Sequence, residues 1–392
     1  MPVGTSLPGL RELSQHYGVS APTVRIAINR LVDEGLLVVE ARRGTFVASE
    51  TPIPIPVHSH SRHSPAGASS LLGDTVLVIS PLGMDSFDPA RGMPIGWDHG
   101  IGLAVAENVR KHDWHLMVLN FDRVHSLAIL HKRLTRLFVC HPAGVIFAQF
   151  FEDKEVAGVV VELARRHNVP LAIYGGDPDA TTFGDRVISG HAQGAYELTS
   201  WLIQVRHRRA IVFLGSGDSN RLWWMQDRYE GYCNAMREAG LKPLPMQIIT
   251  NQSDKSTSEA FDAASRLNAS CLIESILGTG KRTPTPCDAF LVLSDGDCFS
   301  VAAAIRLFGK EPNRDIDIVG YDNYWFTSGE RIWESSVPLA TVDKQNRRVG
   351  EELVDLIAER PKGGIQKGEQ IVRTVAPVLV INDDAVMRNP AL

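Results

Sequence analysis

Two carboxylates and one guanidinium in the second half of the sequence have the residue types and positions of a ligand-binding site. Asp295 follows the apolar run FLVLS and Asp322 follows IDIVGY, while Arg228 lies in the helical stretch WWMQDRYEGY after the run AIVFLG. A carboxylate just past the carboxyl end of a buried parallel strand points into the crevice where ligands bind. Carboxylate and guanidinium groups make paired hydrogen bonds that match the adjacent hydroxyl groups of a sugar. These residues therefore predict a sugar site.

Three tryptophans could form a stacking surface. The rings of Trp97, Trp223 and Trp224 can pack on the apolar face of a sugar, although tryptophan is equally common in protein cores. An aspartate that begins a helix is often only a cap, and this alternative applies to Asp295 and Asp322. At the level of sequence both alternatives stay open.

The sequence contains no catalytic or metal-ligating motif. GSGDS at 215–219 lacks the spacing of a nucleophile elbow, and GTGKRT at 278–283 lacks the full phosphate-binding pattern. His58, His60 and His63 have no cysteine or carboxylate cluster beside them, so a solvated linker is favoured over a metal site. The scattered cysteines and the lack of a signal-peptide pattern favour the cytoplasm. We therefore predict a binding protein without cofactor or metal, and not an enzyme.

Alternating strands and helices must position the predicted ligand-binding residues. From residue 74 onward, β-rich runs such as TVLVIS, AGVIFAQF and AFLVLS alternate with helical stretches. Nearly continuous apolar strands indicate parallel sheets whose two faces are covered by helices. Two such series predict a doubly wound α/β domain of two lobes. We place lobe 1 at about 74–187 plus 323–338, and lobe 2 at about 188–322 plus 339–392.

A change of composition at residue 51 separates a small N-terminal domain from this larger one. Residues 51–73 are rich in Pro, Ser and His, which is typical of an extended linker. The predicted domains are thus 1–50, the linker 51–73 and an effector domain at 74–392. The 392-residue chain has a formal net charge of −5, so a contact with nucleic acid must be local. No apolar run approaches the roughly 18 residues of a membrane span, so no membrane partner is expected.

The N-terminal domain has the pattern of a winged helix-turn-helix. Ser20 is suited to cap a second helix, and Gly35 is suited to end it. LLVVE and GTFVA then alternate as the strands of a hairpin. The second helix of such a unit enters a major groove, while the hairpin lies over the adjacent backbone. The apolar residues of that helix repeat at helical spacing: Val24, Ala27, Ile28 and Leu31.

Small and basic residues of this domain are suited to contact DNA. Ser20 and Thr23 are small enough to let the start of the second helix approach the DNA closely. Arg25 can bind guanine or a phosphate through two donors of its guanidinium. Arg42 and Arg43 lie at the hairpin tip. Acidic and basic groups balance over this domain, so ordinary solvated arginines are the alternative. The grouping of the arginines favours DNA contact.

The framework REL…GVS…TVR…EGLL…GTFVA resembles the winged-helix domain of GntR-family transcription regulators. The resemblance implies operator contacts by Arg11, Ser20, Thr23 and Arg25, with the wing residues Arg43, Gly44 and Thr45 beside them. Ala21 stands where the family often has arginine, and Arg42 replaces a common wing glycine. The first helix of the family would precede GTSLPG, so we expect this domain to lack it.

Residues 74–383 resemble the effector domain of LacI/GalR-type repressors, which is similar to periplasmic sugar-binding proteins. The motifs RYEGYCNAM, AFLVLSDGDCFSVAAAIRLFG and DIDIVGYDN carry this resemblance. It implies that Arg228, Asp295 and Asp322 hold sugar hydroxyls. Gly190 and His191 stand where the family usually has Asp-Asn, which alters one contact of the cleft.

The two resemblances together imply the arrangement of arabinose-repressor-like regulators. We expect a cytoplasmic homodimer, a repressor, that binds operator DNA and changes its DNA affinity when a small sugar binds between the lobes. Dimerisation is expected because one small winged helix makes few contacts, and two half-sites raise specificity. A sugar-binding protein without DNA function is the alternative class, which the wing disfavours.

Overall fold

The computed structural model divides the chain into two compact units, 1–68 and 69–392. The segment that separates the two predicted domains, 51–73, falls almost wholly outside the part of the chain that the structure describes. The described residues are 3–17, 24, 27–28, 31, 36–40, 44–47, 71–80, 99–120, 127–149, 154–175, 183–217, 222–250, 257–281, 285–360 and 370–388.

The first unit contains a helix and the predicted hairpin. The complete elements are α1 (Leu10–Tyr17), β1 (Leu37–Glu40) and β2 (Gly44–Val47). β1 and β2 pair antiparallel, which confirms the hairpin predicted from LLVVE and GTFVA. The N-terminal residues add to its edge, since the Gly4 amide donates to the Val47 carbonyl at 2.8 Å and the Leu7 amide to that of Thr45 at 2.8 Å. Val24 is helical and buried, as the apolar stripe of the second helix predicts.

Lobe 1 of the second unit is a parallel sheet covered on both faces. Its strands are β3 (Thr75–Ser80), β4 (His115–Asn120), β5 (Gly144–Gln149), β6 (Leu171–Gly175), β7 (Asp185–Ser189) and β13 (Val372–Val375). They lie in the order β13-β7-β6-β5-β3-β4. Its helices are α2 (His99–Lys111), α3 (Leu127–Phe138), α4 (Lys154–His167) and α9 (Asn346–Glu359). α2 and α9 bury one face of the sheet, and α3 and α4 bury the other.

Lobe 2 repeats this plan on a smaller sheet. Its parallel strands, in the order β11-β10-β8-β9, are β8 (Ile211–Ser216), β9 (Gln247–Ile249), β10 (Ala289–Val292) and β11 (Asp317–Val319). The antiparallel strands β12 (Ala340–Asp343) and β14 (Val378–Ile381) pair beside it. Its helices are α5 (His191–Gln204), α6 (Trp223–Glu238), α7 (Ser258–Leu277), α8 (Asp295–Arg306) and α10 (Asp383–Arg388). The two parallel sheets confirm the predicted α/β fold class.

The predicted lobe boundaries are wrong in two segments. Residues 346–360 and 370–375, expected in lobe 2, belong to lobe 1, because Leu353 of α9 shares a buried cluster with Val76 of β3 and β13 pairs with β7. Residues 323–338, expected in lobe 1, join lobe 2, because the Trp325 amide donates to the buried carboxylate of Asp295. The alternating pattern of a sequence predicts which strands and helices form. It does not show where the chain passes from one lobe to the other, and so it does not show which sheet each element joins.

One helix of lobe 2 is longer than its sequence pattern predicts. The pattern indicates a helix over 257–267, whereas α7 continues to Leu277. Thr257 caps its start by accepting from the Ala260 amide at 3.2 Å, and Gly278 ends it in the left-handed conformation. Between these caps no proline interrupts the helix, and Leu272 and Ile276 continue its buried stripe.

Candidate functional site

Arg228 lies at the centre of the candidate site, on the buried face of α6. Its Nη2 donates to Oδ1 of Asp322 at 3.0 Å, and its Nη1 donates to the Leu293 carbonyl at 2.6 Å. Its Nε donates to Nδ1 of His191 at 3.3 Å. The side chain is only 2% exposed. Because three donor groups are engaged on different elements, the guanidinium is held in one orientation.

Close packing of α6 on α5 brings Arg228 to His191. A Cβ atom at Gly231 would lie 2.0 Å from the carbonyl oxygen of Ala192, so a larger residue there would force the two helices apart. Arg228 and Gly231 are three positions apart and share one face of α6. The glycine thus sets the distance between the two site helices.

Two aromatic rings enclose the guanidinium. The Arg228 Cζ atom lies 3.6 Å from the ring centroid of Tyr321 and 4.8 Å from that of Trp224. Such contacts orient a buried cation without neutralising it. Trp224 is half-buried, and its predicted role as a sugar-stacking surface stays a prediction.

Asp322 presents a charged acceptor at the edge of this cluster. Its Oδ1 lies 3.0 Å from both Arg228 Nη2 and Lys344 Nζ, and its side chain is 8% exposed. Its Oδ2 has no hydrogen-bond partner among the residues that the structure describes. Burial opposes ionisation, but Lys344 and Arg228 outweigh it and hold the pKa of the Asp322 carboxyl below its usual value. The carboxylate therefore stays ionised, with Oδ1 engaged by two cations.

The backbone at Asp322 is held in an unusual conformation. Its φ is 91°, and that of Asn323 is 53°, so two successive non-glycine residues occupy the left-handed half of conformational space. The Asp322 amide donates to the Val342 carbonyl at 2.9 Å, which ties the turn to β12. Strained backbone of this kind persists where surrounding contacts enforce it and is concentrated at functional sites.

His191 enters the site as a neutral acceptor. Burial, followed by the nearby charges of Arg228 and Lys344, lowers the pKa of the imidazole well below its usual value. Since the Nε of arginine is a donor only, Nδ1 of His191 must accept, and the imidazole proton lies on Nε2. The ring packs edge-on against Trp223, with centroids 5.3 Å apart.

Both carboxylate oxygens of Asp295 accept hydrogen bonds from protein groups, and its predicted contact with a sugar stays a prediction. It is fully buried, and its Oδ2 accepts from the amides of Tyr324 at 2.8 Å and Trp325 at 3.2 Å. Its Oδ1 accepts from the Thr341 hydroxyl at 2.7 Å. Burial raises the pKa of this carboxyl to about 7. Asp295 therefore positions the loop that carries Asp322.

Lys344 is a site residue that the sequence analysis missed. It follows β12 directly. Its side chain is 4% exposed and pairs with Asp322. The available signal was the one that identified Asp322, namely a charged side chain just past an apolar strand, here LATV.

Most of the predicted DNA contacts lie outside the described residues, as does one predicted stacking residue. The residues concerned are Ser20, Thr23, Arg25, Arg42, Arg43 and Trp97. Arg11 lies on α1, and Gly44 and Thr45 lie on β2. Their predicted contacts with DNA stay predictions.

The described part of the chain contains no group of His, Cys, Asp and Glu side chains that could hold a metal ion. None of the described helices is long and apolar enough to cross a membrane. The arrangement of an ionised carboxylate, a fixed guanidinium and a neutral imidazole is suited to binding a ligand with several hydroxyl groups.

Two family models match the chain in the order that the sequence motifs predict. Residues 1–47 match the bacterial regulatory proteins of the gntR family, and residues 200–381 match the periplasmic binding protein-like domain. The chain joins a GntR-type domain to a periplasmic-binding-protein-like domain. The second match includes Arg228, Asp322 and Lys344.

Relatives of this regulator include transcriptional repressors that match over most of the chain. The HTH-type transcriptional repressor PurR of Pasteurella multocida (strain Pm70) is 24% identical over 388 residues, which cover 97% of this chain and 99% of that protein. PurR of Aliivibrio salmonicida (strain LFI1238) is 25% identical over 248 residues, which cover 59% of this chain and 67% of that protein.

Solved structures confirm the fold of the regulator. A complex of the transcriptional regulator CelR with cellobiose has a TM-score of 0.58 at 18% identity, covering 96% of this chain and 99% of that one. A LacI family regulator from Enterococcus faecium with bound ribose has a TM-score of 0.53 at 16% identity, covering 78% of this chain and 96% of that one.

Proposed function

We propose that the protein is a DNA-binding transcriptional repressor whose operator affinity is set by a small sugar bound at Arg228 and Asp322. The observation that carries this proposal is Asp322, which is ionised, held at a strained backbone angle and left with one oxygen unengaged within the described residues. A sugar hydroxyl donates to that oxygen. The matched relatives that are named repressors, and those solved with cellobiose or ribose, support the same assignment.

The sugar acts by favouring one arrangement of the two lobes. A ligand changes an equilibrium only by its difference in affinity between the two states, so the sugar must bind one lobe arrangement more tightly. Operator DNA must also bind the two arrangements with different affinities, and by linkage the sugar and the DNA then change each other's affinity by the same factor. The protein works as a binding protein in the cytoplasm, and no chemical step is needed.

The repressor acts as a homodimer. The N-terminal hairpin and helices of one chain form a small reading unit, and pairing two units on a two-fold operator raises both affinity and specificity. The operator contacts are assigned to Arg11, Ser20, Thr23, Arg25 and the wing residues Arg42, Arg43, Gly44 and Thr45.

The test is a titration of labelled DNA from the protein's own locus, at low salt, with and without cellobiose or D-ribose. We expect retardation by the wild type and a shift of its affinity by a bound sugar. Loss of one charged hydrogen bond costs about 1.5–3 kcal/mol, so Asp322→Asn should weaken sugar binding roughly tenfold to hundredfold, while the variant should still retard operator DNA. The matched control is Asp315→Asn, an exposed carboxylate of lobe 2.

Two outcomes would contradict the proposal. Absence of retardation at low salt, with or without sugar, would leave only the sugar-binding alternative. Unchanged sugar affinity in Asp322→Asn would show that the sugar does not bind at this carboxylate.

A further inference from the structure

Two side chains of the candidate site come from segments in which the chain passes between the lobes. His191 begins α5 of lobe 2, and only Gly190 separates it from the last residue of β7 in lobe 1. Lys344 follows β12 of lobe 2 and precedes α9 of lobe 1. A further crossing, at 376–377, joins β13 of lobe 1 to β14 of lobe 2. Any change in the angle between the lobes must therefore act on the backbone beside His191 and Lys344.

Hydrogen bonds tie these crossings to each other. The Gly190 amide donates to the Val375 carbonyl at 3.1 Å, and Gln345 Nε2 donates to the Ala376 carbonyl at 2.6 Å. Gln345 has a φ of 54°, and its amide donates to Oδ1 of Asp343 at 2.7 Å. The crossing at 344–345 is thus a sharp, fixed turn, and the three segments form a single hinge.

Lys344 connects this hinge to the ligand-binding carboxylate. Its Nζ lies 3.0 Å from Oδ1 of Asp322, the oxygen that also accepts from Arg228 Nη2 at 3.0 Å. The Lys344 and Asp322 side chains are 4% and 8% exposed, so the pair is largely shielded from water. Separation of such a pair leaves two charges poorly solvated, which opposes any hinge motion that would part them.

We propose that Lys344 is a positioning residue that locks the hinge to Asp322, so that the ligand site and the hinge open together. The inference rests on the proposed function only in that Asp322 is taken to hold the effector. A hydroxyl bound at Oδ2 keeps the carboxylate in place, and the carboxylate keeps Lys344 and its crossing in place. An effector bound at Oδ2 of Asp322 thereby restricts the movement of the two lobes.

The test measures amide hydrogen exchange in the ligand-free full-length protein at the three crossings. Lys344→Met removes the charge and retains the length of the side chain, and it should speed exchange at 189–191, 343–346 and 375–378 at least about tenfold. Amides of α7 serve as the internal reference for global stability. Lys344→Arg should restore slow exchange, and Lys242→Met, an exposed lysine of lobe 2, should behave as the wild type.

A double variant distinguishes the effect of the Lys344–Asp322 ion pair from a general loss of packing. Asp322→Asn should open the same crossings at least as far as Lys344→Met, since it removes the charge that pairs with both Lys344 and Arg228. The double variant should open them no further than Asp322→Asn alone, because the Lys344–Asp322 contact is already lost in that single variant. Unchanged exchange at the crossings, equal acceleration throughout α7, or multiplied effects in the double variant would each overturn the inference. Because no effector or DNA is present, such a failure would not bear on the proposed function, which the operator and sugar titrations test separately.

Discussion

Substitution of Asp295 by asparagine should change how the stability of the protein depends on pH. The carboxyl is fully buried and accepts from the Tyr324 amide, the Trp325 amide and the Thr341 hydroxyl. Burial raises its pKa from the ordinary value of 3.8 to about 7. An asparagine oxygen can accept from both amides, and its NH₂ group can donate to Thr341, so Asp295→Asn resembles the protonated acid at every pH.

The sign and size of the effect follow from this pKa. A group whose pKa is higher in the folded state stabilises that state below its unfolded pKa, and the contribution is lost as pH rises through the folded pKa. For Asp295 the loss therefore runs from about pH 4 to about pH 7. Each pKa unit corresponds to about 1.4 kcal/mol, so the full loss is about 4 kcal/mol. The asparagine variant has no such loss.

The assay is urea unfolding of the wild type and Asp295→Asn between pH 4 and pH 8, with a separate fit at each pH. We expect the free energy of unfolding of the variant, relative to the wild type, to rise by about 4 kcal/mol across this range. The control is Asp262→Asn, an exposed aspartate of α7, which should run parallel to the wild type. If Asp295→Asn also runs parallel to the wild type, the carboxyl is not buried as described.

Two further substitutions test the packing that surrounds the site. Gly231→Ala places a Cβ atom 2.0 Å from the Ala192 carbonyl and should lower the melting temperature and cost about 1–3 kcal/mol, whereas Gly158→Ala, where a Cβ meets nothing within 4 Å, should not destabilise the protein. Asp317→Asn removes the charge that pairs with the buried guanidinium of Arg206 at 2.8 Å and should cost about 3–5 kcal/mol in chemical unfolding. A loss below 1 kcal/mol in the latter would mean that water reaches this pair.

Local sequence patterns predict much of the fold. Runs such as TVLVIS and AFLVLS are apolar at successive positions, so they predict strands buried on both faces, and each of these strands is buried in a parallel sheet. The hairpin of the first unit is also predicted from local sequence, because LLVVE and GTFVA are two strand-forming runs joined by a short turn, and they pair antiparallel. Periodicity does not show which sheet an element joins, so α9 and β13 were placed in the wrong lobe.

The sequence by itself determined the types of element, their order and the charged residues that follow strands. Only the tertiary structure decided which groups each of these residues contacts. Asp295 and Asp322 follow strands in the same way, yet residues 324–325 fold back over Asp295 and engage both its oxygens. Asp322 and Lys344 are 22 positions apart and meet only because β12 lies beside the turn that carries Asp322. The physical reason is that burial and ion pairing depend on contacts between distant segments, which no local pattern encodes.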